Sequence, residues 1–218
     1  LDDPRSKALI EDFGDQWLHT RAMADVAPDY NYFPDFDDEL RASMTTEARL
    51  YFGEFIDENR DIRDLLRAPF SYMDARLSIH YDMMIPLGVG FRRVELEGTG
   101  RGGLLTLGSV LTVTSFPTRT SPVKRGKWVL EQLLCTPPPP PPPGVEAELS
   151  QADAEAPATL REQLAEHRAN PDCAVCHDAM DPIGLGMEGF DGIGAPRAVD
   201  STVELPDAAV MADVDALE

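Results

Sequence analysis

Two cysteines and a histidine in Asp172-Cys173-Ala174-Val175-Cys176-His177 have the residue types and the spacing to do chemistry. Read as Cys-x-x-Cys-His, the thiols lie one helical turn apart. Each can form a thioether to one vinyl group of a porphyrin, while the imidazole of the next residue binds iron from one face. Cys173 and Cys176 are then the covalent tethers of a c-type haem, and His177 is its proximal iron ligand. A structural zinc site is a second chemistry. It would need four ligands, taken from Cys173, Cys176 and two of Cys135, His167 and His177. Cys135 lies on the far side of a proline run, which makes that set awkward. A thioredoxin-like redox pair would need a βαβ setting that the pattern does not offer. A disulfide between Cys173 and Cys176 would close a short strained loop and leave His177 adjacent by accident. The spacing favours haem.

The far face of such a haem decides between electron transfer and chemistry on a small ligand. Met180, three residues past His177, shares its helical face and so packs against the haem rather than crossing to the other side. Met187 follows an expected turn at Asp181-Pro182 and can reach the opposite face, either as a ligand or as apolar packing. His167 is of ligating type, although a histidine at a helix C-terminus commonly caps it. Met211 completes the set of candidate distal ligands. His19 and His80 sit among aromatic residues on helical faces and read as structural.

These residues need elements to position them. Thr159-Leu-Arg-Glu162 matches a capping box opening a helix to about Arg168, and Asn170-Pro171 caps and starts the helix that carries the cysteines. Upstream, the apolar spacing over Ser6 to Ala24 predicts one amphipathic helix. Leu40, Met44, Ala48, Tyr51, Phe52 and Phe55 predict a second over 37 to 58. Shorter helical patterns follow in IRDLLRA and SYMDARLSIHYDM, and FRRVELE alternates like a short strand. EGTGRGG lacks dinucleotide and P-loop spacing and reads as a turn. LLTLGSVLTVTS is too uniformly apolar for its periodicity to choose between helix and strand. SPVKRGKWVLEQLL predicts a helix with Val129, Leu130, Leu133 and Leu134 on its core face. The run Pro137 to Pro143 ends it and predicts a stiff polyproline II spacer of about 22 Å, at roughly 3.1 Å per residue. VEAELSQADAEAPA beyond it is acidic and poor in large apolar residues.

RGGLLTLGSVLTVTSFPTRTSPVKRGKWVLEQLLC, with TLREQLAEHRANPDCAVCHDAMDPIGLGMEGFDGIG, resembles the planctomycete-type cytochrome proteins that carry domains of unknown function 1592, 1588 and 1585. FPDFDDELRASM, ENRDIRDLL, RLSIHY and FRRVEL are similar to that family's first, helical domain. The resemblance implies a first domain over residues 1–100, a haem-bearing second domain over 101–200 and the start of a third over 203–218. It implies exported, multidomain proteins with haem c, and Cys173, Cys176 and His177 match the haem motif position for position. Cys135 falls where many members have another residue, and a buried small side chain is expected there.

The chain of 218 residues carries 39 acidic against 19 basic side chains, a net charge of −20. Such a surface repels a phosphate backbone, so nucleic acid is excluded as a partner class. No stretch has the roughly 18 apolar residues of a membrane span. The first residue is Leu1, and LDDPRSKALIEDF has neither the basic start nor the apolar core of a signal peptide, so both ends read as cuts through a larger polypeptide. The expectation is a mainly α protein: a helical bundle segment joined by a polyproline spacer to a small cytochrome c-like haem-binding segment. Its expected function is single-electron transfer in the periplasm or at the cell surface, with a basic redox protein as partner. Two alternatives stand beside it: a haem enzyme with an open sixth position, and a zinc-binding structural module.

Overall fold

The structure is a computed structural model that describes residues 3, 5, 7–140 and 160–197. Thr159 of the expected capping box, Pro141 to Pro143 of the expected spacer and Met211 lie outside the described residues. Among the described residues the chain is mainly α-helical with one two-stranded sheet. Among the described residues, those up to Ser121 together with 187–197 form one compact unit, and Pro122 to Gly186 contribute the other.

The first unit opens differently from its periodicity. Instead of one helix there is a π-helical turn over Leu9–Gly14, a short α1 over Asp15–Trp17 and a 3₁₀ turn over Thr20–Ala24. His19, left-handed at φ 59°, breaks the run. The apolar side chains still find their partners: Phe13 stacks on Trp17, and Phe52 packs tilted and edge-on against the two. Asp15 is buried there, accepting hydrogen bonds from Thr20 and Arg49.

Helix α2, Asp38–Asp57, follows its stripe closely. The Asp37 carboxylate accepts from the Leu40 N–H at 2.7 Å, and Asp38 and Glu39 add negative charge to the first turn, where the helix dipole favours it. At its other end Asn59 turns left-handed at φ 49°. The Arg60 N–H reaches the Phe55 carbonyl at 3.1 Å and closes the helix. Leu40, Met44, Ala48, Tyr51, Phe52 and Phe55 are all buried, and Leu40 and Met44 join Met23, Met73, Leu77, Tyr81 and Leu96 in the core.

Strand β1, Phe70–Met73, pairs antiparallel with β2, Arg92–Glu95, placing Phe70 opposite Glu95. Ser71 to Met73 had read as helical; their strand partner lies twenty residues downstream, out of reach of local periodicity. Only the second half of that pattern is helix α3, Ala75–His80, with Asp74 as its cap. IRDLLRA forms a 3₁₀ turn over Ile62–Leu66. The ambiguous apolar run resolves into a 3₁₀ turn, Leu104–Thr106, and α4, Gly108–Val113.

This unit also buries a polar cluster. Glu47, fully buried on α2, accepts from the Ser71 hydroxyl at 2.7 Å and the Tyr81 hydroxyl at 2.6 Å. Tyr81 in turn accepts from the Gly108 N–H at 2.7 Å, and the Arg101 guanidinium lies 3.5 Å from the centre of its ring. Burial raises the Glu47 carboxyl from its usual 4.5 to about 7, against the opposing pull of the two hydroxyls and of Arg101.

Among the described residues the second unit holds three helices: α5, Pro122–Gln132; α6, Leu160–Arg168; and α7, Pro171–Leu185. Trp128, Val129 and Leu130 are buried, whereas Leu133 and Leu134 are only half-buried. Two glycines let α5 and α7 touch backbone to backbone. A Cβ on Gly126 would collide with the Met180 carbonyl, and one on Gly184 with that of Pro122. Cys135, expected to be buried, is exposed. It follows α5 in the left-handed conformation at φ 51°, and the Thr136 N–H reaches the Leu130 carbonyl at 2.8 Å. That is the geometry of a helix stop, which turns the side chain outward.

Candidate functional site

Helix α7 gathers the chemistry. Its start is set by Asn170, whose carbonyl accepts from the N–H groups of Cys173 and Ala174, both at 3.0 Å, with Pro171 at the first helical position. Cys173, Cys176 and His177 therefore fall at i, i+3 and i+4 on one side of a continuous helix. Both cysteines are free thiols and partly buried. Val175 between them is 74% exposed and belongs to the opposite side.

The sequence had suggested a turn at Asp181-Pro182; the helix instead runs through Pro182 to Leu185. A proline removes one N–H from the ladder, and the last turn is still closed by the Gly186 N–H on the Pro182 carbonyl at 3.2 Å. This continuity has a chemical consequence. Asp181 stands one turn past His177, and its Oδ1 is hydrogen-bonded to His177 Nδ1 at 2.9 Å. Asp181 is fully buried, and Arg168 Nε lies 3.9 Å from its Oδ2. Burial raises the Asp181 carboxyl above its usual range, and the hydrogen bond from His177 opposes that rise.

His167, in the last turn of α6, packs edge to face on His177 with ring centroids 4.5 Å apart. Burial, and then the neighbouring His177, hold the His167 imidazole below its usual value. As they stand the two rings touch, and an iron held between them would require them to part. Met180 is buried on α7. Met187 is buried in the first unit. The structure thus brings Cys173, Cys176, His177, Met180 and His167 into one unit, together with Asp181. The signal for Asp181 is the His-x-x-x-Asp spacing, which pairs the two side chains where Asp181 stays helical instead of entering a turn at Pro182.

These residues fit a covalently attached haem. Two reduced thiols flank the imidazole on one side of a helix, and Asp181 occupies Nδ1, so Nε2 is the ring nitrogen left to bind iron. Among the described residues no group of three His, Cys, Asp or Glu side chains is arranged to hold a metal ion.

A helix bearing Cys-x-x-Cys-His in a mainly α chain is the arrangement expected of a cytochrome c-related class. Comparison with known families agrees. Residues 101–200 match PSCyt3, a protein of unknown function (DUF1588), and residues 1–83 match PSD4, a protein of unknown function (DUF1592). The chain belongs to this family of planctomycete cytochrome c-type domains. No curated protein and no solved structure matches it.

Proposed function

We propose that the chain is an exported c-type haem protein whose function is single-electron transfer within a larger multidomain polypeptide. Cys173 and Cys176 tether the haem, His177 binds its iron through Nε2, and Met180 packs beside it. The haem supplies a one-electron couple; the protein's part is to fix the proximal ligand and limit water around it. The observation that carries the reading is the pairing of free thiols with an imidazole whose Nδ1 is already held by Asp181. Met187, His167 and Met211 remain the candidates for the distal position.

Covalent haem attachment takes place outside the cytoplasm, which supports a periplasmic or cell-surface location. Among the described residues no helix is long and apolar enough to cross a membrane. The net charge of −20 suits a basic redox partner, drawn in by long-range attraction.

The test is expression with haem-attachment machinery followed by acid–acetone extraction. A Soret band that stays with the polypeptide supports the reading; haem that extracts, or none at all, refutes it.

A further inference from the structure

Asp181 has no assigned role, yet its surroundings are unusual. It is fully buried on α7, one turn beyond His177. Its Oδ1 lies 2.9 Å from His177 Nδ1, within hydrogen-bond distance. Its Oδ2 is buried without a hydrogen-bond partner among the described residues, and Arg168 Nε, at 3.9 Å, is beyond hydrogen-bonding distance. A carboxylate kept only for helix or core stability would have both oxygens hydrogen-bonded, since an acceptor buried without a bond carries its desolvation cost with nothing to offset it. Asp181 instead directs its one hydrogen bond at the imidazole of the motif.

We infer that Asp181 is a positioning residue for the proximal ligand: it fixes His177 as the Nδ1–H tautomer, presents Nε2 for iron and makes the imidazole a stronger donor. Neutral histidine in water favours the proton on Nε2, the wrong nitrogen for a ligand that binds through Nε2. A buried carboxylate on Nδ1 reverses that preference. It also feeds negative charge into the ring, which stabilises ferric over ferrous iron. A backbone carbonyl in the same place would orient the ring but carry no full charge. Asp181 therefore sets the couple towards the oxidised state.

The inference rests on the haem reading for its redox consequence but not for its tautomer, and the two parts separate experimentally. In haem-free protein, imidazole ¹⁵N shifts should report Nδ1–H for His177 in the wild type and in Asp181→Asn, which keeps an acceptor, and Nε2–H in Asp181→Leu. An Nε2–H wild type overturns the inference whether or not haem attaches. In matured protein, haem content by the pyridine haemochrome assay tests the haem reading alone. With haem attached, Asp181→Asn should move the ferric–ferrous equilibrium about tenfold towards ferrous, a rise of about 59 mV for one electron, and weaken the iron–histidine stretch in resonance Raman. A helical far-UV spectrum matching the wild type guards against misfolding. Attached haem with a potential shifted by less than twofold in that equilibrium overturns the redox part.

Discussion

Glu47 and Asp181 are both fully buried carboxyl groups, one in each unit, and they are served by quite different neighbours. Both oxygens of Glu47 accept hydroxyl hydrogen bonds, and the second donor, Tyr81, is anchored by the Gly108 N–H and covered by Arg101. Asp181 pairs one oxygen with His177, while the other has no hydrogen bond among the described residues and faces Arg168 Nε at 3.9 Å. A closed network specifies a core, because every member loses a partner if the packing shifts. A carboxylate hydrogen-bonded to an imidazole alone, with an arginine beside it, is the pattern expected of a residue that positions that imidazole. The contrast is between a closed polar network and an open pair, and it can be attacked at each end.

The largest effect should come from the motif itself. His177→Ala should leave haem tethered by Cys173 and Cys176 but with its Soret maximum shifted and its potential altered, whereas replacing both cysteines by serine should abolish acid-resistant haem altogether; absorption spectra of the extracted proteins check both. Next is the seam that holds α7. Gly126→Ala should destabilise the second unit by about 3 kcal/mol, since the new methyl meets the Met180 backbone carbonyl rather than a movable side chain. Urea unfolding measures this as a lower midpoint.

The Glu47 carboxyl has its own signature. Its value is raised from 4.5 to about 7 in the fold, so the folded chain binds a proton more tightly than the unfolded one. Its contribution is therefore fully present below about pH 4.5 and is lost as pH rises through 7, by about 3 kcal/mol in all. Glu47→Gln, which cannot ionise, should lack this component, so the stability difference between variant and wild type should grow in the variant's favour between pH 4.5 and 7. A pH-independent difference would contradict the assignment. Smaller still is the outer surface: association with a basic partner should slow as salt is added, followed by stopped-flow at several ionic strengths. Smallest is Cys135→Ser, which should change stability by less than about 0.5 kcal/mol because that side chain is exposed.

How far the sequence foretold this differs by element, and for identifiable reasons. Helix α2 was legible because a stripe, an aspartate cap and an acidic first turn all agree within twenty residues. The start of α7 was legible from Asn170-Pro171 and the spacing of its cysteines. The opening segment was not, because nothing in LHTRAMA marks His19 as left-handed. Strand β1 was missed because a strand is completed by its partner, and Phe70–Met73 finds that partner in Arg92–Glu95. Asp181 was missed for a sharper reason. The expected turn at Asp181-Pro182 takes Asp181 off the helix and away from His177; α7 instead keeps Asp181 helical and runs on to Leu185, which leaves the two side chains one turn apart.

The central claim is that Cys173, Cys176 and His177 hold a covalent haem. The most direct measurement is the absorption spectrum of chain matured with haem-attachment machinery, taken before and after acid–acetone extraction. The account predicts a Soret band retained by the extracted polypeptide at one haem per chain, absent when both cysteines are serine. A colourless chain binding stoichiometric zinc through the same cysteines would contradict it.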